Sequence, residues 1–118
     1  MRLPLALSVL LATTACGGDD GGGTAVDAPS STVARVQCGG ATIAGTVTAP
    51  GFAFTPMATT ISVGQVVQFM MPATHNAISD EGLFTADFNA TVCYRFDAAR
   101  TYPFHCGPHG FTGTIVVQ

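Results

Sequence analysis

From Val36 to the C-terminus the chain consists of short runs rich in Val, Ile, Thr and Phe, separated by Gly, Pro and Asp. β-Branched and aromatic residues favour strands, whereas Gly and Pro mark turns. No stretch of useful length shows the spacing of an amphipathic helix. The pattern predicts an all-β sandwich of about seven or eight strands, placed at 41–48, 52–55, 59–63, 65–71, 75–79, 90–96, 100–106 and 113–118.

Alternation of side chains indicates which face of one strand is buried. Val92, Tyr94 and Phe96 share one face and are predicted to point into the core, while Cys93 and Arg95 lie on the opposite face. The segment 49–51, Ala-Pro-Gly, is predicted to be a turn.

The first 15 residues have the pattern of a signal peptide. A basic residue, Arg2, precedes an apolar run at 3–12, which is about half the length that a membrane-spanning helix needs. Small residues before Cys16 and glycines after it resemble a bacterial lipoprotein leader, although Thr13 stands where Leu is usual. This predicts a periplasmic or cell-surface lipoprotein of a bacterial envelope, lipidated at Cys16; ordinary signal cleavage nearby is the alternative.

Residues 16–37 are mainly Gly, Asp, Ser, Thr and Ala, a composition that predicts a flexible linker before a domain at 38–118. Four Arg and no Lys face seven acidic residues, giving a formal net charge of −3. A chain without a basic surface is a poor nucleic-acid binder. We therefore expect a monomeric domain that meets the membrane only through its lipid anchor.

The C-terminal segment carries the residues with metal-binding chemistry. Cys106 and His109 are three residues apart in a predicted turn between two strands, and His75 could supply a third ligand. Two imidazoles and one thiolate suit copper in electron-transfer sites. The alternative for His75 is a turn histidine bonded to the backbone.

Five segments of the region 44–118 resemble the cupredoxins, the family of small blue copper proteins. They are Phe54-Thr55-Pro56, the run 61–67, His75-Asn76, Leu83-Phe84 and the ending 102–117 with its Cys106-x-Pro108-His109 motif. The resemblance implies a Greek-key β-sandwich with one type 1 copper ion held by His75, Cys106 and His109. It also implies that the Asn76 backbone N–H points at the Cys106 sulfur and that its side chain ties the ligand loops together.

The sequence departs from the family at the axial ligand, because no Met follows His109. The axial position could be empty, or filled by the Thr112 hydroxyl, the Thr74 carbonyl or water. Met70 and Met71 are predicted to be core side chains rather than ligands.

The resemblance also implies that His109 reaches the surface through an apolar patch. Pro108 and Phe111 match that patch, together with Gly107 and Gly110. His105 precedes the cysteine and is either an ordinary exposed strand histidine or a second site of electron exchange.

Two cysteines remain once Cys16 is assigned to the anchor and Cys106 to the metal. An exported protein meets an oxidising compartment, so a Cys38–Cys93 disulfide is predicted, lying on an outer surface of the sandwich.

These features together predict an exported electron carrier that cycles between Cu(II) and Cu(I) and exchanges electrons with redox partner proteins that the sequence does not name. Copper binding or delivery without redox turnover and a non-redox binding module on the same fold are the alternatives. An oxidase or reductase domain would need further copper ligands, and His105 is the only histidine left. We therefore do not expect an enzyme.

Overall fold

The computed structural model describes residues 32–118, and this part of the chain contains strands and turns but no helix. The leader, Cys16 and most of the predicted linker lie outside the described residues. The ten described strands are β1 (Val33–Val36), β2 (Ile43–Gly51), β3 (Ala53–Thr55), β4 (Ala58–Ile61), β5 (Val66–Met70), β6 (Ala77–Ser79), β7 (Thr85–Ala86), β8 (Thr91–Phe96), β9 (Arg100–His105) and β10 (Thr112–Val117). Accordingly, residues 32–118 hold no helix of the length and apolarity needed to cross a membrane.

The strands form two five-stranded sheets. The first, in the order β4-β10-β9-β6-β7, is called here the ligand sheet, and the second, in the order β1-β8-β5-β2-β3, the opposite sheet. Pairing is antiparallel except between β4 and β10 and between β2 and β5. The predicted all-β sandwich is confirmed, with more strands than the seven or eight expected because β1 and the two-residue β7 were not predicted.

The core is packed with aromatic rings. Phe104 lies 5.7 Å from Phe69 and 5.9 Å from Phe84, measured between ring centroids, and Phe96 lies 5.0 Å from Tyr102. The fully buried Tyr102 donates a 2.8 Å hydrogen bond from its hydroxyl to the Ala98 carbonyl. Because Tyr102 and Phe104 lie on the strand that leads into Cys106, the end of β9 is firmly fixed in the core.

Close packing also explains one glycine beside the site. A Cβ atom on Gly113 would lie 2.6 Å from the Phe104 ring, which is closer than atoms can approach. Only glycine therefore lets β10 lie flat against β9 at this position.

Two boundaries differ from the sequence prediction. Val33–Val36, assigned to the linker, forms a strand paired with β8, so the linker prediction is wrong at its C-terminal end. Likewise, 49–51 is not a turn but the end of β2, which pairs with β3 through a register shift. The pairing of β2 with β5 ends at Thr48. Pro50, which has no backbone N–H to donate, therefore lies beyond the hydrogen bonds between those two strands.

The predicted disulfide is confirmed. Cys38 and Cys93 are bonded, with their Cα atoms 5.3 Å apart, and they close a loop of 55 residues. Val92, Tyr94 and Phe96 belong to the core as predicted. The expectation of a bridge on an outer surface is wrong at Cys93, which is fully buried. Cys93 lies on an inner strand of the opposite sheet, and the disulfide places Cys38 against its side chain.

Candidate metal centre

Three neighbouring strands of the ligand sheet bring the predicted ligands together. β9 pairs with β6 on one side and with β10 on the other, so that His105 lies opposite both Ile78 and Thr112. His75 comes just before β6, Cys106 just after β9, and His109 in the turn leading into β10. Antiparallel neighbours begin where β9 ends, and all three side chains therefore lie at one edge of the sheet.

The ligand atoms form a small triangle. The Nδ1 atoms of His75 and His109 are 3.1 Å apart, and the Cys106 Sγ is 3.7 Å from each of them. A point equidistant from the three atoms lies about 2 Å from each, which is the length of metal–nitrogen and metal–thiolate bonds. Within residues 32–118 no other group of three His, Cys, Asp or Glu side chains is arranged to hold a metal ion. The geometry fits one ion.

The three ligands differ in their exposure. Cys106 is fully buried and is not in a disulfide, and His75 is 4% exposed. His109 lies in the exposed turn 107–110. The site is thus closed on the thiol side and open to solvent at one imidazole.

Hydrogen bonds fix the loop that carries two of the ligands. The Cys106 N–H donates to the Phe111 carbonyl at 2.9 Å, and the Gly110 N–H donates to the Cys106 carbonyl at 2.8 Å. Gly110 has a φ of +75°, a conformation that glycine adopts without a Cβ clash. The turn therefore holds His109 back toward the thiol that precedes it.

Asn76 joins the loop of the first ligand to the loop of the other two. Its buried side-chain Oδ1 accepts a 2.8 Å hydrogen bond from the Gly107 N–H. This confirms the predicted role of the Asn76 side chain, while the contact between its backbone N–H and the sulfur stays a prediction. The bond links residues 31 positions apart in the chain and holds His75 against the Cys106 loop.

Replacing Asn76 by alanine is expected to lower the free energy of unfolding by roughly 1 to 2 kcal/mol, because the part-buried hydrogen bond between the Gly107 N–H and the Asn76 side chain is lost. Urea unfolding of the metal-free protein measures the change. Gln65→Ala is the matched control, since Gln65 also accepts a backbone N–H bond, from Ser62, but in an exposed turn. Equal losses in the two variants would contradict the assigned role of Asn76.

Two phenylalanines pack against the histidines. Phe111, predicted from the sequence as part of the surface patch, lies 5.0 Å from the His75 ring and stacks parallel to the His109 ring at 6.4 Å. Phe52, which the sequence analysis missed, meets the His75 ring at 5.3 Å and the His109 ring at 5.1 Å. Phe52 is an exposed residue at the bend between β2 and β3, so no strand alternation in the sequence identifies it.

Other predicted site residues lie around this cluster. Pro108 is exposed beside His109, as expected of a residue in the surface patch. Phe111 is less accessible and is half-buried. Thr74 and Thr112, the predicted axial candidates, are both exposed neighbours of the ligand loops, and whether either is an axial ligand stays a prediction.

His105 and the two methionines need separate descriptions. His105 is half-exposed, and its Nδ1 lies 2.6 Å from a carboxylate oxygen of Asp80, so it points away from the metal triangle and contacts Asp80 instead. Met71 is buried as predicted, but the core prediction is wrong for Met70, which is 44% exposed. Met70 is the last residue of β5, and its side chain is on the outer face of the strand.

Comparison with known proteins supports the fold. No profile of a known protein family matches the chain, and no curated protein is detectably similar in sequence. Among solved structures, a reduced Cu(I) form at pH 4 of an amicyanin mutant superposes with a TM-score of 0.60 at 19% identity, covering 74% of this chain and 99% of that one.

Two further amicyanins give the same result. Amicyanin from Paracoccus versutus (Thiobacillus versutus) has a TM-score of 0.59 at 16% identity, covering 75% of this chain and all of that one. An oxidized amicyanin mutant has a TM-score of 0.56 at 24% identity, covering 76% of this chain and 95% of that one. Together with the His-Cys-His group, these likenesses show that the chain has the cupredoxin fold, in the form seen in amicyanin.

Proposed function

We propose that the protein is a one-electron carrier that holds a single type 1 copper ion between His75, Cys106 and His109. One observation carries the proposal: the three ligand atoms lie 3.1 to 3.7 Å from one another around one ion-sized position. The amicyanin structures described as reduced Cu(I) and as oxidized support the assignment, since both states are known on this fold.

The donor set fits copper in both oxidation states. Imidazole is a good ligand for Cu(II), and a soft thiolate stabilises Cu(I), so the combination can hold the ion as it gains or loses an electron. When bound, copper would supply the one-electron change. Zinc fits the same ligands but undergoes no redox change.

The role of the protein is to hold the ligands in place through the redox change. The burial of Cys106 and the packing of Phe111 against His75 exclude water from the thiol side. Asn76 and the Cys106–Phe111 backbone bond prevent the loops from separating. Ligands that move little between the two states keep the reorganisation energy low.

Electrons would enter and leave at the exposed end of the site. His109 is the exposed ligand, and Pro108 beside it is also exposed. A redox partner protein docking at this turn would approach the metal through one imidazole. We propose a carrier rather than an enzyme because the only remaining histidine, His105, is engaged with Asp80.

The fourth ligand would be weak. No Met follows His109, so the Thr112 hydroxyl, the Thr74 carbonyl or water would occupy the axial position, or it would stay vacant. Because the axial bond of such sites is weak, this departure would change the potential and the spectrum more than the affinity.

We also propose that the protein is exported and anchored through Cys16. The Cys38–Cys93 bond supports this proposal, because disulfides persist mainly in oxidising compartments outside the cytosol.

Titration of the reduced, metal-free protein with Cu(II) tests the copper proposal. We expect one equivalent to bind and produce an intense thiolate-to-copper absorption band in the visible region, with narrow copper hyperfine splitting in the EPR spectrum. Chemical reduction should bleach the band and reoxidation should restore it. A colourless protein, or one whose band does not return, would overturn the proposal.

A further inference from the structure

We propose that Phe52 is a positioning residue that covers the two ligand imidazoles and slows the release of the metal ion. The inference rests on the proposed copper centre and assigns a function to a side chain on the opposite sheet. Phe52 is 74% exposed, the most exposed of the large apolar side chains in residues 32–118. Core burial therefore does not explain its placement.

The β2–β3 hairpin brings Phe52 to the site. Gly51 and Ala53 are paired across the hairpin, which places Phe52 at its tip. Phe52 is the bend residue between the two strands, and Phe54 lies two residues further on, in β3. Phe54 is buried 4.7 Å from the Phe111 ring, beneath the ligand loop. This packing fixes the hairpin and so directs Phe52 onto the histidines.

The contacts made by Phe52 are shared between the two ligands. Its ring meets His75 at an interplanar angle of 73° and His109 at 86°, both edge-to-face arrangements. Edge-to-face packing is one of the two favoured arrangements of aromatic rings. Phe111 contacts the same two rings, but it belongs to the ligand loop itself. Phe52 is thus the ring from the opposite sheet that reaches both imidazoles.

His109 is the ligand that most needs such a restraint. It lies in an exposed turn, whereas His75 and Cys106 are held in the interior. Loss of the metal would begin when an exposed imidazole rotates away from the ion. A ring packed against His109 opposes that rotation and limits the access of water or a chelator.

Release of Cu(II) to excess EDTA, followed by loss of the visible band, measures the effect. We expect Phe52→Ala to release copper about tenfold faster than the wild type, since two aromatic contacts are lost. Phe52→Leu should give an intermediate rate. Phe88→Ala is the matched control, because Phe88 is another exposed phenylalanine, 44% exposed, and makes no ring contact with either ligand. A rate for Phe52→Ala within twofold of Phe88→Ala would overturn the proposal.

Proton NMR of the metal-free protein tests the contact independently of copper. The ring protons of His75 and His109 should shift in Phe52→Ala and Phe52→Leu and stay unchanged in Phe88→Ala; unchanged shifts in all three variants would overturn the proposal. The outcomes also separate the two proposals. A wild type that binds no copper would refute both, whereas a wild type that binds copper and loses it no more slowly than Phe52→Ala refutes only the role of Phe52.

Discussion

The Cys106→Ala variant is expected to lose the intense visible band completely. The band requires a thiolate bound to Cu(II), and Cys106 is the one cysteine of residues 32–118 that is not in a disulfide. Copper affinity should fall more than about a hundredfold, because loss of a direct ligand exceeds the 10- to 100-fold cost of losing a residue that only supports a ligand. Absorption and EPR spectra on addition of one equivalent of Cu(II) measure the loss.

The variant should remain folded, so the result reports on the ligand and not on the scaffold. Removing one buried sulfur costs about 1 kcal/mol, which thermal unfolding of the metal-free protein can verify. His105→Ala is the matched control: His105 adjoins Cys106 in the chain but pairs with Asp80, so this variant should keep the band. A band that survives in Cys106→Ala would contradict the assigned ligand set.

The grouping of the three candidate ligands could be predicted from the sequence, because two of them lie close together in the chain and all three residue types bind metals. Cys106 and His109 lie in one turn between two strands, and only the distant His75 required a guess about topology. The antiparallel pairing of β6 and β10 with β9 provides that topology. The triangle was predictable because few functions other than metal binding require two histidines and a free cysteine in this arrangement.

Phe52 could not be predicted in the same way. An exposed side chain leaves no burial pattern in the sequence, and its position depends on a register shift between β2 and β3. The strand β1 was missed for a related reason. Val33–Val36 pairs with β8 57 to 63 residues later, and a four-residue run of Val, Ala and Arg does not reveal that partner. Both errors concern contacts that only the tertiary structure determines.

Removing the Cys38–Cys93 disulfide is expected to lower the free energy of unfolding by about 4 kcal/mol, the chain-entropy value for a closed loop of 55 residues. The bond also holds the start of the domain on the sheet, because Val36 of β1 is paired directly with Cys93. Alanine is the suitable replacement for both cysteines, since a serine hydroxyl at the fully buried Cys93 would need a hydrogen-bond partner. Urea unfolding of the metal-free double variant gives the loss.

Reduction of the wild type by dithiothreitol is the control, because it opens the loop without removing either side chain. Similar losses from reduction and from the double variant would show that the cross-link itself stabilises the fold, whereas losses below about 1 kcal/mol in both would refute that role. The visible band should persist in the folded double variant. The disulfide joins the segment just after β1 to β8 in the opposite sheet, while all three candidate ligands are carried by loops of the ligand sheet. Loss of the disulfide should therefore lower the free energy of unfolding strongly and leave the visible band in place. Loss of Cys106 should abolish the band and change the free energy of unfolding only slightly.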